Sequence, residues 1–217
     1  MWDPLWLSLQ VTACATLIVA VTGVSLGYLL ARRDFPGRGL VDAIASAPIV
    51  MPPTVLGYYL LVAVGRNSPI GRVWEAVFGS PLVFSWQGAV LAASVASFPF
   101  CLRSSRAAIE SIDRRYESAG RVMGLKPWRV TAQITLPLAR RGILAGVGLA
   151  FARALGDFGT TVMVAGNIPG RTQTMPIAVY DAVQAFDYDR AGSLAIVLLA
   201  VAVLVLVAVR RLERTVV

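Results

Sequence analysis

Long apolar blocks alternate with short polar segments along this chain of 217 residues. The apolar blocks are residues 5–31, 43–64, 87–102, 142–165 and 191–209. Most of them reach the roughly 20 apolar residues that a helix needs to cross the hydrocarbon core of a bilayer. The pattern therefore predicts an all-α polytopic membrane protein, with one transmembrane domain over residues 1–217 and five spanning helices.

The basic residues predict how these helices are oriented. Of the 20 Lys and Arg residues, 15 fall in residues 32–38, 103–141 and 210–214, which an odd number of spans would place on one side. The other side has only four, which are Arg66, Arg72, Arg171 and Arg190. Because cytoplasmic loops collect Lys and Arg, we expect the N-terminus outside and the C-terminus in the cytoplasm of a bacterium or archaeon. The first block lacks a preceding basic segment, so we expect it to be a span and not a cleaved signal.

Composition excludes several classes of function. The net charge of +8 is partitioned by membrane side and no nucleic-acid-binding motif accompanies it, so we expect contact with lipid and not with nucleic acid. The chain has no His, and Cys14 and Cys101 lie far apart in apolar blocks, so we expect neither a metal site nor a disulfide. The only lysine, Lys126, precedes Pro127, so no phosphate-binding loop of the form GxxxxGK[ST] is present. We expect no catalytic residue and no cofactor on this chain, and an energy source in a partner or a gradient.

The densest charge lies in residues 103–141, between two apolar blocks. The segment is amphipathic, and Gly124 and Pro127 should divide it into at least two short helices at the inner membrane face. Attraction to anionic headgroups explains its arginines. It does not explain Glu117, Gly124 and the run from Ile134 to Pro137 at their offsets.

These offsets carry a resemblance. Glu117-Ser118-Ala119, Gly124 seven residues after Glu117, and Ile134-x-Leu136-Pro137 after nine more residues resemble the EAA motif of binding-protein-dependent ABC importer permeases. Ser118 stands where that motif has Ala. The resemblance implies a type I ABC importer permease fold with a cytoplasmic coupling-helix loop. It also implies a second copy of the chain, two cytoplasmic ABC ATPase subunits that bind ATP and Mg, and an extracytoplasmic oxyanion-binding protein.

The motif assigns a set of residues to ATPase coupling. They are Glu117, Ser118, Ala119, Gly124, Leu125, Pro127 and Trp128. The small Ser118 and Ala119 would allow close approach, and Gly124 would permit a bend. Glu117 would offer a charge-assisted bond to a basic residue of the ATPase, while the apolar members would anchor the contact.

Other segments resemble the molybdate branch of this family. They are residues 35–37 (FPG), 51–57 (MPPTVLG), 84–90 (FSWQGAV), 151–159 (FARALGDFG), 167–170 (NIPG) and 174–176 (TMP). Asp157 stands where Glu is more usual in that branch. The resemblance implies a translocation path for molybdate, with tungstate and sulfate as alternative substrates.

Hydroxyls and an interrupted helix suggest where the path runs. Pro52 and Pro53 remove two backbone donors at membrane depth, so this segment should either line the interior or merely kink a packed helix. Thr54, Ser94 and Ser97 would present hydroxyls that bind an anion weakly.

Two features, and the class of function itself, leave alternatives open. Arg153 and Asp157 lie on one helix face, where they either only neutralise each other or also shape a gate. The face of Gly142 and Gly146 would meet either a second copy or a helix of its own chain. Residues 66–85 and 167–189 are candidates for the outer docking surface. A self-contained secondary anion carrier or channel, and a structural or assembly protein, remain alternatives of other classes.

Overall fold

The computed structural model describes residues 2–215, apart from the side chains of Trp2, Val209, Arg210 and residues 212–215. Two arginines of the charge count, Arg210 and Arg214, and the end of the last apolar block at Val209 are therefore outside the described side chains.

Within residues 2–215 every regular element is a helix, as the apolar pattern predicts. The elements are α1 (Trp2–Arg32), α2 (Arg38–Val50), α3 (Pro53–Val64), α4 (Pro69–Phe78), α5 (Trp86–Glu110), α6 (Arg114–Val122), α7 (Pro127–Val130), a π-helical segment (Thr131–Thr135), α8 (Leu136–Leu155), α9 (Gly159–Ala165), α10 (Met175–Gln184) and α11 (Tyr188–Thr215). Among the residues that the structure describes, four continuous helical stretches are long and apolar enough to cross a membrane: Asp3–Arg32, Trp86–Glu110, Pro127–Leu155 and Tyr188–Ala208.

The second predicted span is divided into α2 and α3. Met51 and Pro52 have extended backbones, with ψ of 135° and 134°, and α3 begins at Pro53. An α-helix of the 12 residues of α3 is about 18 Å long, so it does not cross a core of about 30 Å alone. The fourth predicted span is also divided, because α8 ends at Leu155 and α9 begins at Gly159.

The helix of the third predicted span extends past residue 102 and ends at Glu110. Its basic residues have partners on α2: Arg106 Nη1 lies 2.8 Å from Asp42 Oδ2, and Arg103 Nε donates to Ser46 Oγ at 3.3 Å. Because these charges are satisfied by α2, the helix continues beyond its apolar part. The segment outside the long helices is therefore residues 111–126.

The core is formed by α1, α5 and α8, which pack through small residues. Gly142 and Gly146 of α8 face Ala108 and Ser104 of α5, and Ser104 Oγ donates to Gly142 O at 2.9 Å. This settles the alternative about the glycine face, because it meets a helix of its own chain.

Candidate coupling surface and transport path

Helix α6 is a short helix with defined ends. Asp113 caps its start by accepting a hydrogen bond from Arg115 N at 2.9 Å. At its end, Gly124 N donates to Arg121 O at 2.9 Å and Leu125 N to Gly120 O at 3.1 Å, with Gly124 at φ +83°. This pattern satisfies the last carbonyls of a helix and needs a left-handed residue at the turn. The bend predicted at Gly124 is present.

The outer side of α6 and α7 is exposed and partly apolar. Ser118, Ala119 and Pro127 are exposed, and Trp128 is 62% exposed. Three exposed apolar side chains were not among the predicted coupling residues: Tyr116, Val122 and Met123. We call these seven residues the coupling surface. The sequence could have indicated Tyr116, Val122 and Met123, because they are apolar residues that alternate with polar residues in and beside a short amphipathic helix. Leu125 is half-buried and is a weaker candidate for an anchor.

The carboxylate of Glu117 points inward and has partners in its own chain. It is 5% exposed, and its Oε1 lies 2.8 Å from Nε of Arg32, at the end of α1. Thr135 Oγ1 donates to the same Oε1 at 2.8 Å, and Arg121 Nη2 lies 3.7 Å from Oε2. The carboxylate therefore forms an internal ion pair in this chain. The reason is the helix period, which turns residues 117 and 120 inward when 118 and 119 face out. The bond from Glu117 to a basic residue of the ATPase stays a prediction.

The two interrupted spans pack against each other. A Cβ on Gly57 of α3 would lie 2.6 Å from Met163 Cβ of α9, and a Cβ on Gly159 would lie 2.9 Å from Pro53 Cβ. Beside this contact Pro52, Pro53 and Thr54 are exposed in the single chain. Irregular backbone at membrane depth has to be covered by protein or by water. Because these residues are exposed, the structure favours the interpretation that Pro52 and Pro53 line the interior over the alternative that they only kink a packed helix.

The two serines predicted for the path face the helix core. Ser97 is fully buried and its hydroxyl donates to Ala93 O at 2.6 Å, while Ser94 Oγ donates to Val90 O at 2.7 Å. Ser97 therefore does not line an open path in this structure. Ser94 lies at the edge of a mainly apolar cavity of about 310 Å³ between α1, α2 and α5.

Arg153 and Asp157 form the predicted pair at the end of α8. Arg153 Nη1 donates to Asp157 Oδ1 at 2.9 Å. Thr161 donates to Asp157 Oδ2 through its backbone N at 2.9 Å and its Oγ1 at 2.7 Å. The carboxylate thus bonds to both sides of the break between α8 and α9.

The two candidate docking segments have hydrogen bonds within themselves. In the first, Arg66 Nη2 donates to Glu75 Oε1 of α4 at 2.6 Å, and this hydrogen bond lowers the pKa of the Glu75 carboxyl. In the second, Asn167 Nδ2 donates to Asp181 Oδ1 at 2.9 Å, and Gln173 Nε2 donates to Asn167 Oδ1 at 2.9 Å. A cavity of about 870 Å³ opens between the first turns of α1, residues 80–87 and residues 170–172.

The helical fold, with two broken spans and an exposed helical loop, is that of a membrane permease. The chain belongs to the family described as binding-protein-dependent transport system inner membrane component, which matches residues 23–216.

Two curated relatives illustrate the range of the family. The chain is 46% identical over 183 residues to the molybdenum transport system permease protein ModB of Escherichia coli (strain K12), covering 84% of this chain and 80% of that protein. It is 32% identical over 199 residues to the sulfate transport system permease protein CysT of the same strain, covering 92% of this chain and 72% of that protein.

A solved structure shares the fold. A chain of the MetNI methionine ABC transporter, solved in inward-facing conformations, matches with a TM-score of 0.77 and 20% identity, covering 100% of this chain and 97% of that chain. The fold is that of the type I ABC importer permeases.

Proposed function

We propose that this chain is the membrane-spanning subunit of an ATP-driven, binding-protein-dependent importer of molybdate. The observation that carries the proposal is the coupling surface. Exposed Val122 and Met123 lie in the basic segment 111–126 outside the long helices, and exposed Trp128 lies in α7 directly after it. Aromatic and apolar side chains of this kind serve as anchors in protein interfaces, and the occupant we assign is a cytoplasmic ABC ATPase that binds ATP and Mg.

The relatives support molybdate as the substrate. Identity is 46% to a molybdenum permease and 32% to a sulfate permease. Tungstate has nearly the size and charge of molybdate and is the alternative within the same class. An extracytoplasmic oxyanion-binding protein would select the anion and dock on residues 66–85 and 167–189.

A second copy would complete the path. The irregular backbone at Met51 and Pro52 needs a cover, and the neighbouring face of α2 and α3 is apolar, with Val50 85%, Tyr58 54% and Val62 58% exposed. A homodimer would cover this face and place Pro52, Pro53 and Thr54 beside a shared path. The Thr54 hydroxyl would offer a weak, uncharged contact for an anion.

The pair of Arg153 and Asp157 would hold the gate region in shape. Asp157 anchors the turn before Gly159, and Gly159 packs on Pro53. Through Gly159, the pair therefore holds the start of α3 at Pro53 in position, and it does not bind the anion itself. The excess of Lys and Arg beside Arg32 and around α6 supports a cytoplasmic location for the coupling surface and an N-terminus outside.

Reconstitution tests the proposal. The chain would be placed in liposomes with its ATPase and a molybdate-loaded binding protein, and uptake would be measured with tungstate and sulfate as competitors. We expect uptake that requires ATP and the ATPase, competition by tungstate, and weak competition by sulfate. Uptake at full rate by the chain alone would instead indicate a secondary carrier or channel, and the absence of any uptake or ATPase capture would favour a structural role.

A further inference from the structure

Three contacts join the cytoplasmic end of α1 to the segment that contains the coupling surface. The first is the ion pair between Arg32 Nε and Glu117 Oε1 at 2.8 Å. In the second, Arg32 Nη2 donates to Ile112 O at 3.1 Å, just before α6. In the third, Thr131 Oγ1 donates to Tyr28 OH at 2.8 Å, one turn above Arg32 on α1.

The ion pair is sheltered from water, which distinguishes it from the other charges of the loop. The Arg32 and Glu117 side chains are 7% and 5% exposed, whereas the side chain of Arg115 on the same loop is 93% exposed. A buried charge that loses its partner is costly, so the pair should stay together when α6 is displaced.

The π-helical segment adds a second support for the same carboxylate. It runs from Thr131 to Thr135, and these two residues contact Tyr28 and Glu117 respectively. A π-helical turn alters the directions of the side chains that follow, and such turns are frequent at functional positions. Here the segment directs two hydroxyls towards α1 and α6, so the three helices are connected at one place.

We infer that Arg32 is a positioning residue for coupling, which transmits displacement of α6 to α1 through the buried carboxylate of Glu117. Because α1 packs along α5 and α8, a displacement at its cytoplasmic end reaches the core of the bundle. The partners of Arg32 in these contacts, Glu117 and Ile112, belong neither to the coupling surface nor to the region of Pro52 and Thr54. This inference rests on the proposed function and adds the element that carries the motion.

The test compares Arg32→Ala with Arg33→Ala in the full assembly. Arg33 is the neighbouring residue and is exposed, so its variant removes the same charge without breaking the buried pair. Three quantities are measured: capture of the ATPase, ATP hydrolysis stimulated by the loaded binding protein, and molybdate imported per ATP hydrolysed. For Arg32→Ala we expect capture to be retained and import per ATP to fall by about 5- to 150-fold, the range of a typical coupling free energy. For Arg33→Ala we expect all three to match the unsubstituted protein.

Two further variants distinguish a loss of coupling from a loss of folding. Arg32→Lys keeps the charge and should recover part of the import per ATP, and the exchange Arg32→Glu with Glu117→Arg should recover more than either single variant. Equal losses of capture, hydrolysis and import in Arg32→Ala, without recovery by Arg32→Lys, would overturn the inference and indicate a purely structural contact. So would an Arg32→Ala variant that behaves like Arg33→Ala. In both cases ATP-dependent import by the unsubstituted assembly would leave the proposed function intact.

Discussion

Asp157 accepts a hydrogen bond from Arg153 on α8 and two from Thr161 on α9, so a single carboxylate closes the break between two helices. Its side chain is 1% exposed, whereas that of Arg153 is 26% exposed. The acid is therefore the buried member of the pair and the base is the member that reaches towards the surface.

We predict that Arg153→Ala lowers the free energy of unfolding by about 3 kcal/mol, because it leaves the buried carboxylate without its counter-charge. The double variant with Asp157→Ala should lose less than the sum of the single variants, by about 0.5–3 kcal/mol, because the two residues are in contact. Thermal unfolding in detergent would measure both quantities, with the exposed Arg190→Ala as the control. Strictly additive losses would contradict the pairing.

Some breaks of the fold were visible in the sequence and others were not. The interruption at Pro52 and Pro53 was predictable because proline lacks the backbone donor that a helix needs. The second break, after Leu155, contains no proline, and it depends on the bonds of Asp157 to Thr161 that form only when the turn has folded.

For the candidate site, the sequence predicted the short helix and the bend of the loop, but it did not predict the contacts of every side chain. The spacing of Glu117 and Gly124 indicated a short helix and a bend, and both are present. The partner of Glu117 was not predictable, because Arg32 is distant in sequence and meets it only after α1 and α6 pack together. The burial of Ser97 was not predictable for a similar reason, since the sequence does not reveal which face of the apolar α5 lies against its neighbours.

Substitution of Gly146 should destabilise the protein. A Cβ at this position would lie 2.8 Å from Ser104 Cβ and 3.3 Å from Cys101 O, so Gly146→Ala should cost about 1–3 kcal/mol by overpacking. Gly192→Ala is a matched control, because nothing lies within 4 Å of a Cβ there and the residue is helical. That control should be neutral or stabilising by up to about 1 kcal/mol. Equal unfolding temperatures for the two variants would argue against close packing of α5 and α8.

Gly124 is expected to be sensitive for a different reason. Its φ of +83° suits glycine, and nothing lies within 4 Å of a Cβ at this position, so the cost of Gly124→Ala is backbone strain of about 1–2 kcal/mol. Gly124→Asn should be milder, since Asn tolerates left-handed geometry better. Thermal unfolding and ATPase capture would be measured together, with Gly39→Ala, which also has open space, as the control. An alanine variant as stable as the asparagine variant would contradict this explanation.

Trp128 provides the most direct test of the coupling surface. Trp128→Ala should weaken ATPase capture at least about tenfold without changing the unfolding temperature, because the side chain is 62% exposed and aromatic anchors dominate interfaces. Leu199→Ala removes a side chain of similar exposure, 65%, from the membrane-spanning part of α11. This control should capture the ATPase normally. Undiminished capture by Trp128→Ala would place the docking surface elsewhere.

Helix α4 should loosen at acid pH. The hydrogen bond from Arg66 lowers the pKa of Glu75 below its ordinary value of 4.5, so the ionised carboxylate is favoured in the folded state. When the pKa of an acid is lower in the folded than in the unfolded protein, its ionised form stabilises the fold. This stabilisation is fully present above the pKa of the unfolded protein and is lost as the pH falls through the pKa of the folded protein. Hydrogen exchange of α4 amides should therefore accelerate as the pH is lowered from about 5 through the folded-state pKa of Glu75, after correction for the intrinsic exchange rate. Glu75→Gln should remove this pH dependence, because its amide does not titrate. Persistence of the dependence in Glu75→Gln would assign the effect to another acid.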